Sequence, residues 1–188
     1  MRNFKRVLIT GVSGSGGSYL AEQILERNPN ISIHGITRWH STTTANNLSK
    51  IANKVQIYEC DLCDLSSVIR TLEIAKPDVI FNLASHANVR ACFDTPITVV
   101  QNNILSTLNL LEAIRLVKLK PLLIHCSTSE VYGQVDKSQI PINENCPINP
   151  VNPYSVSKCT QDQLVYSYGK AYNISAIRTR MFAYINPR

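Results

Sequence analysis

Two residues of this 188-residue sequence, Tyr154 and Lys158, stand at a spacing that could support acid–base chemistry. Residues at positions i and i+4 share one face of a helix, and Asn152 followed by Pro153 is a favourable start for one. A lysine charge near a phenol lowers the phenol's pKa, so that it can act as a general base. The same pattern also fits an ordinary surface helix, and neighbouring motifs must decide between the two.

A polar stretch that begins at Ser127 supplies further candidates. It follows an apolar run at 121–126 that predicts a buried strand. In a doubly wound sheet the ligand crevice lies at the carboxyl ends of the strands. We therefore expect Thr128 and Glu130 to lie beside Tyr154 and Lys158, which makes these four the catalytic candidates. A solvated loop position for Glu130 is the alternative, because prolines and asparagines follow it.

Three glycines, Gly11, Gly14 and Gly17, separate the first apolar run from an amphipathic stretch. Glycine permits a tight turn and close approach of backbone to a pyrophosphate, and the N-terminus of the following helix offers free N–H groups. The order of strand, turn and helix is typical of a dinucleotide site. The predicted contacts include the intervening Ser13, Ser15 and Gly16. A tight turn without a ligand is the alternative.

The residue that would select between NAD and NADP comes about 20 positions after the turn. The stretch 36–41 contains no acidic residue, but it contains Arg38. A guanidinium there would pair with a 2′-phosphate, which favours NADP over NAD; a solvated loop arginine is the alternative. Asp61, after the third predicted strand, is a candidate acceptor for the adenine amino group or an ordinary helix N-cap.

Apolar runs alternate with amphipathic stretches along the whole chain. Strands are predicted at 5–10, 31–36, 55–58, 79–83, 121–126 and 174–179, helices at 18–26, 45–52, 65–74, 97–119 and 154–172, and a loop at 134–150. Nearly continuous apolar strands between amphipathic helices predict an α/β fold, with a doubly wound parallel sheet covered on both faces.

Composition limits the class of protein. A content of 44% hydrophobic and 17% charged residues suits one globular domain over 1–188. The net charge is +6, the basic residues are scattered, and no run of them resembles a nucleic-acid-binding arm. The excess fits an anionic small ligand at least as well as a polyanion, and we expect no nucleic-acid partner. No stretch is long and apolar enough to span a membrane, and we expect a cytoplasmic location with all six cysteines reduced. The lone Cys60-x-x-Cys63 lacks a second ligand pair, so no metal site is predicted.

Taken together, the motifs resemble the extended short-chain dehydrogenase/reductase family of NAD(P)-dependent sugar-nucleotide epimerases and dehydratases. Within it the chain looks most like the GDP-mannose 4,6-dehydratases. The resembling stretches are 8–22, 34–38, 82–84, Asn103 with 109–113, 127–133 and 153–158. The stretch 127–133 also resembles the UDP-glucuronate decarboxylases. The resemblance adds Leu62, Leu83, Ala84, Asn103 and Ser127 to the cofactor contacts, alongside Tyr154 and Lys158.

The resemblance implies a role for each catalytic candidate. Thr128 would bond the 4-hydroxyl of a nucleotide sugar, and Tyr154 would remove its proton while hydride passes from C4 to NADP⁺. Lys158 would bind the nicotinamide ribose. Glu130 would take the C5 proton, water would leave from C6, and the hydride would return to C6.

Departures from the family pattern bear on the substrate. Ala87 stands where the dehydratases have serine, Ser15-Gly16 where they have Gln-Asp, and Phe182-Ala183-Tyr184 where they have Phe-Asn-His. The sequence ends at 188, so we expect the C-terminal substrate domain to be largely absent. Another epimerase, decarboxylase or reductase of the family, or a dinucleotide-binding module without catalysis, are the alternatives. The resemblance also implies a homo-oligomer, a dimer or a dimer of dimers, paired through the long helices.

Overall fold

A six-stranded parallel sheet forms the centre of the computed structural model, which describes residues 4–39 and 46–183. Its strands are β1 (Arg6–Thr10), β2 (Ser32–Thr37), β3 (Val55–Glu59), β4 (Val79–Asn82), β5 (Leu122–Cys126) and β6 (Ala176–Thr179). The spatial order is β3-β2-β1-β4-β5-β6, and each neighbouring pair is parallel. The chain reverses its winding between β1 and β4, so the crevice of a doubly wound sheet opens there. The predicted fold class is confirmed.

Helices cover both faces of the sheet. They are α1 (Ser15–Arg27), α2 (Leu65–Ala75), α3 (Ala91–Asp94), α4 (Pro96–Leu116) and α5 (Pro153–Tyr172). Successive strand residues face opposite sides, so Val7 and Ile9 pack in the core beneath α1, whereas Leu8 packs in the core beneath α2, α4 and α5. The long apolar runs of the strands are therefore explained by burial on both faces.

Two helix boundaries, the end of α4 and the start of α1, lie three residues from their predicted positions. The helix predicted at 97–119 ends at Leu116, because Lys118 has a positive φ of 54° that an α-helix does not accommodate. Asn173, with φ 56°, ends α5 in the same way, at the predicted Tyr172, and β6 then begins at Ala176 instead of 174. The glycine-rich start of α1 is helical from Ser15, three residues earlier than predicted.

The helix predicted at 45–52 is wrong. In its described part the structure has only short 3₁₀ turns, Asn46–Leu48 and Ala52–Lys54, and Ala45 lies outside the described residues. Leu48 and Ile51 are buried against the core beneath α1. Tertiary packing, and not helical periodicity, therefore determines the conformation of this segment. The predicted loop 134–150 is irregular apart from the turn Lys137–Gln139, and α3 was not predicted.

Within the ranges described, no helix combines the length and apolarity that a bilayer crossing requires. The six cysteines, all of them in the described part of the chain, are free thiols.

Candidate active site

One large cleft opens at the carboxyl ends of β1, β2, β4 and β5. Its volume is about 1180 Å³. All but one of the predicted site residues line it, namely Gly11, Ser13, Gly14, Ser15, Gly16, Gly17, Arg38, Asp61, Leu62, Leu83, Ala84, Ser127, Thr128, Glu130, Tyr154 and Lys158. The exception is Asn103. Residues from six separate parts of the sequence therefore meet at one concave surface.

The glycine turn forms one end of this cleft. Gly11 has a φ of +67°, in the left-handed region that favours glycine. A Cβ on Gly17 would lie 2.3 Å from the Gly11 carbonyl oxygen and 2.8 Å from the Val12 Cα, so only glycine lets α1 approach the turn this closely. Gly14 is the N-cap of α1 and supplies no side-chain cap, and the first turn carries no acid. An uncapped helix N-terminus facing a cleft fits a pyrophosphate.

A buried threonine holds the opposite wall against this turn. The Thr10 Oγ1 accepts hydrogen bonds from the backbone N–H groups of Leu83 and Ala84, both at 3.0 Å, and donates to Asn82 Oδ1 at 2.8 Å. Sequence analysis missed Thr10 and Asn82. Their signal is a polar residue at the end of an otherwise apolar buried strand, where an unpaired group is costly.

Arg38 lies at the end of the cleft beyond β2. Burial and the Arg38 charge together lower the pKa of His86, which lines the same cleft. Both residues also line an adjoining cavity of about 230 Å³. Asp61 lines the cleft, and its Oδ1 accepts from Cys63 N–H at 2.9 Å. The N-cap of α2 is Asp64, which accepts from Ser66 N–H at 3.0 Å, so Asp61 is not the ordinary helix N-cap of the alternative interpretation.

Thr128 and Glu130 are held by a short 3₁₀ turn, Ser129–Tyr132, directly after β5. Thr128 caps this turn: its Oγ1 accepts from Glu130 N–H at 3.3 Å, which leaves the hydroxyl proton to be donated. The half-buried Glu130 accepts a 2.9 Å hydrogen bond from Asn152 Nδ2 at Oε2. Glu130 is therefore part of an ordered turn, and Asn152, which sequence analysis considered only as a helix cap, contacts it.

The helix α5 carries the tyrosine and the lysine. Asn152 and Ser155 form a capping box, and Pro153 is the first helical residue, as predicted. Tyr154 is 8% exposed and packs against Cys92 and Val99. A well-defined helix start therefore fixes where Tyr154 enters the cleft.

Lys158 is buried at the floor of the cleft. It is 4% exposed, and its Nζ donates a 2.6 Å hydrogen bond to the Cys126 carbonyl oxygen at the end of β5. Burial, which disfavours the charged amine, lowers the pKa of Lys158 to about 8. The chain therefore carries a lysine whose charge is sensitive to mildly alkaline pH.

Asn103 lies behind the cleft and does not line it. It is fully buried; its Oδ1 accepts from His86 N–H at 2.7 Å, and its Nδ2 donates to the His86 carbonyl at 3.2 Å and to Ser157 Oγ at 2.9 Å. Ser157 in turn donates to the Tyr154 carbonyl at 2.7 Å. The structure thus gives Asn103 contacts with the cleft wall and with α5, where the sequence predicted a contact with the cofactor.

Two further buried groups beneath the site were missed. His125 on β5 accepts at Nδ1 from Asn82 Nδ2, at 3.1 Å, and burial with the Lys158 charge lowers its pKa to about 3. Asp162, one turn after Lys158, is bound by Arg178 and by Arg180. Burial alone would raise the pKa of Asp162, but the hydrogen bond from Arg180 and the two positive charges outweigh it and lower that pKa.

Arg180 also donates to Tyr132 Oη at 3.0 Å, which ties α5 to the turn that carries Glu130.

The family comparison agrees with this geometry. The family model for GDP-mannose 4,6 dehydratase matches residues 8–188. The chain belongs to the GDP-mannose 4,6-dehydratase family. A GDP-mannose 4,6-dehydratase of Yersinia enterocolitica is 34% identical over an alignment of 193 positions. The alignment covers 98% of this chain and 51% of the relative. The chain thus spans about half the length of the curated relatives it matches.

Solved structures of related enzymes share the fold. The UDP-glucose 4-epimerase of Thermus thermophilus, in complex with NAD, has a TM-score of 0.82 and 28% identity over 93% of this chain and 54% of that one. The dTDP-glucose 4,6-dehydratase of Bacillus anthracis, in complex with NAD, has a TM-score of 0.80 and 25% identity over 93% and 53%. The epimerase and dehydratase superfamily inferred from the sequence is therefore correct.

The departures from the dehydratase pattern fall on the cleft. Ser15, Gly16, Ala87, Phe182 and Ala183 all line it. Tyr184 and residues 186–188 lie outside the described residues. Members of the GDP-mannose 4,6-dehydratase family that carry polar side chains at these positions would present hydrogen-bonding groups where this chain presents none at Ala87 and Ala183.

Proposed function

We propose that residues 1–188 form the cofactor-binding and catalytic part of an NADP-dependent sugar-nucleotide 4,6-dehydratase that acts on a GDP-mannose-like substrate. The observation that carries the proposal is that Thr128, Glu130, Tyr154 and Lys158 line one cleft together with the glycine turn. A hydroxyl donor, a carboxylate, a phenol and an amine are the groups this reaction needs.

The residues present fit a bound NADP. The uncapped N-terminus of α1 and the glycine turn suit the pyrophosphate, Arg38 suits the 2′-phosphate, and Leu83 and Ala84 form an apolar wall. When bound, the nicotinamide would accept a hydride from C4 of the sugar and later return it to C6 of the sugar. NADP is preferred to NAD because the position for a 2′-OH acid holds Arg38 instead.

Tyr154 would act first, as the base that removes the proton of the 4-hydroxyl. Thr128 would donate a hydrogen bond from its hydroxyl to the same sugar oxygen, since the Thr128 oxygen already accepts from Glu130 N–H and its O–H is left to donate. Lys158, protonated below about pH 8, would place a positive charge near the phenolate and stabilise it.

Glu130 would act second, on carbon. A carbonyl at C4 makes the C5 proton acidic, and the Glu130 carboxylate would take that proton and pass it to the C6 hydroxyl, which would leave as water. Hydride would then return to C6, and Tyr154 would give the proton it took from the 4-hydroxyl to C5. Removing a proton from C5 is a separate task from removing one at the 4-hydroxyl, so the reaction needs a base besides Tyr154. The half-buried position of Glu130 next to Asn152 suits this role.

The test is conversion of GDP-mannose by the purified chain in the presence of NADP⁺. We expect a 4-keto-6-deoxy product, detected by mass spectrometry as the loss of one water. Glu130→Gln should lower the rate by about 10²-fold or more, and Tyr154→Phe similarly, whereas Glu73→Gln on the exposed side of α2 serves as the matched control. Equal product from Glu130→Gln would overturn the assigned base.

A sugar-nucleotide 4-epimerase is the second candidate, favoured by the fold and 28% identity shared with the Thermus enzyme. An epimerase would return hydride to C4, and the product would keep its 6-hydroxyl group. Mass spectrometry separates the two, because epimerisation leaves the substrate mass unchanged. Binding of NADP without turnover of either kind would indicate a dinucleotide-binding module.

We also propose pairing of two copies through α4 and α5. Ile97, Leu105 and Leu116 on α4 and Val156 on α5 are exposed apolar side chains, and burying them would favour association. Sedimentation velocity is the measurement: a dimer in the wild type, shifted toward monomer in Leu105→Glu, is expected. The cytoplasmic location stays a prediction from the sequence.

A further inference from the structure

We propose that Asn152 is a positioning residue that fixes the Glu130 carboxylate relative to Tyr154. The link is direct: Asn152 Nδ2 donates to Glu130 Oε2 at 2.9 Å, and Tyr154 follows Asn152 by two residues. The inference rests on the proposed function, because it assigns Asn152 to the proton-transfer step at C5. Asn152 itself acts only through Glu130.

The rest of Asn152 is held rigidly. Its Oδ1 accepts from Ser155 N–H at 2.7 Å, its backbone N–H donates to Ser155 Oγ at 3.0 Å, and its carbonyl accepts from Val156 N–H at 2.9 Å. The side chain therefore has one orientation, in which the acceptor oxygen faces the helix and the amide nitrogen faces Glu130. A donor with a single orientation can hold a carboxylate in one place.

The residue type is explained by this double contact. Serine, threonine and aspartate cap helices about as well as asparagine does, because capping needs only an acceptor. Asparagine alone among these combines an amide donor with the acceptor on one short side chain. The helix start accounts for the oxygen of Asn152, and Glu130 accounts for its nitrogen.

The opposite side of Glu130 is fixed as well. Thr128 Oγ1 accepts from the Glu130 backbone N–H at 3.3 Å, so Thr128 holds the main chain of Glu130. Asn152, which starts the helix that carries Tyr154, holds the Glu130 carboxylate. A displacement of about 1 Å in a reacting group costs up to about 10²-fold in rate. Loss of the amide donor should therefore slow only the step that uses Glu130.

The experiment separates the two chemical steps in Asn152→Ser and Asn152→Asp, which keep an acceptor for Ser155 N–H and lose the amide donor. We expect exchange of the C5 proton with deuterated water to fall by about 10- to 100-fold. Single-turnover reduction of NADP⁺ by GDP-mannose, which reports oxidation at C4, should stay within about twofold, as should the KM. Asp64→Ser, which replaces the cap of α2 in the same manner, is the matched control and should change neither rate.

Other outcomes overturn the inference. If both steps slow equally in Asn152→Ser, or if C5-proton exchange stays at the wild-type rate in Asn152→Ser while the melting temperature falls only in Asn152→Ala, Asn152 is only a helix cap. If the wild-type chain performs neither step, the proposed function fails, and the contact is then read by NMR. In that case the NMR signals of the Asn152 side-chain amide protons should shift upfield, and these protons should exchange faster with solvent, in Glu130→Ala. Unchanged signals would show that the hydrogen bond on which the inference depends does not form in solution.

Discussion

The Lys158 ammonium donates a 2.6 Å hydrogen bond to the carbonyl oxygen of Cys126, and this contact joins α5 to the end of β5. Thr128 follows Cys126 by two residues, and Tyr154 lies one helical turn before Lys158. The bond therefore sets the distance between the two segments that carry the catalytic candidates. It also holds the Lys158 ammonium in a buried position, so the stability of the chain should depend on the protonation of Lys158.

Stability should rise with pH because of Lys158. Its pKa is about 8 in the folded chain and 10.5 ordinarily, so between these values the unfolded chain binds the proton that the folded chain has released. The free energy of unfolding should therefore increase from pH 8 to pH 10.5, by up to about 3 kcal/mol. Urea denaturation of the wild type and of Lys158→Met measures it; titrations common to both cancel in the difference. Parallel curves for the two proteins would contradict the prediction.

Acid should destabilise the chain through His125. This residue is neutral in the folded chain down to about pH 3, whereas the unfolded chain protonates it near pH 6.5. The free energy of unfolding should therefore fall as pH drops from 6.5 toward 3, by as much as about 5 kcal/mol. In His125→Gln, whose side chain can still accept from Asn82, the fall should be clearly smaller. Chemical denaturation at several pH values checks this, and an equal acid dependence in both proteins would refute it.

Arg38 should determine the preference for NADP. Removal of a charged partner from a phosphate costs about 1.5–3 kcal/mol, so Arg38→Ala should bind NADP⁺ about 10- to 100-fold more weakly and NAD⁺ about equally well. Isothermal titration calorimetry gives both affinities, with Arg70→Ala on α2 as the matched arginine variant. Tighter binding of NAD⁺ than of NADP⁺ by the wild type would exclude the assignment.

Gly17 should not tolerate a side chain. The Cβ of Gly17→Ala would lie 2.3 Å from the Gly11 carbonyl oxygen, so α1 must move away from the turn. We expect a loss of about 1–3 kcal/mol in stability and weaker NADP⁺ binding. Gly169→Ala is the matched control: its Cβ would meet only the Ile174 carbonyl oxygen, at 3.3 Å, inside a helix. Thermal unfolding and calorimetry compare the two, and equal NADP⁺ affinity in both variants would show that the turn does not bind the cofactor.

Local sequence was enough wherever a property depends on neighbours along the chain. Apolar runs predicted all six strands, because burial on both faces leaves no alternation to obscure them. The glycine spacing predicted the turn at Gly11, and Asn152-Pro153 predicted the start of α5, since capping and fixed φ are properties of those residues themselves. The end of α4 before Lys118 was not predicted, because a left-handed residue of this type leaves no mark in the apolar pattern.

Only the tertiary structure decided which side chains meet. The contact of Asn152 with Glu130 spans 22 residues, and that of Asn103 with His86 spans 17. Nothing in the spacing of these pairs distinguishes them from many others. The sequence determined a parallel α/β sheet with a glycine turn and a set of reactive side chains at the ends of its strands. The fold decided that Asn103 supports the cleft from behind, that Asn152 holds the half-buried Glu130, and that Lys158 and His125 are desolvated. Burial and hydrogen bonding of these groups are set by residues distant in the chain.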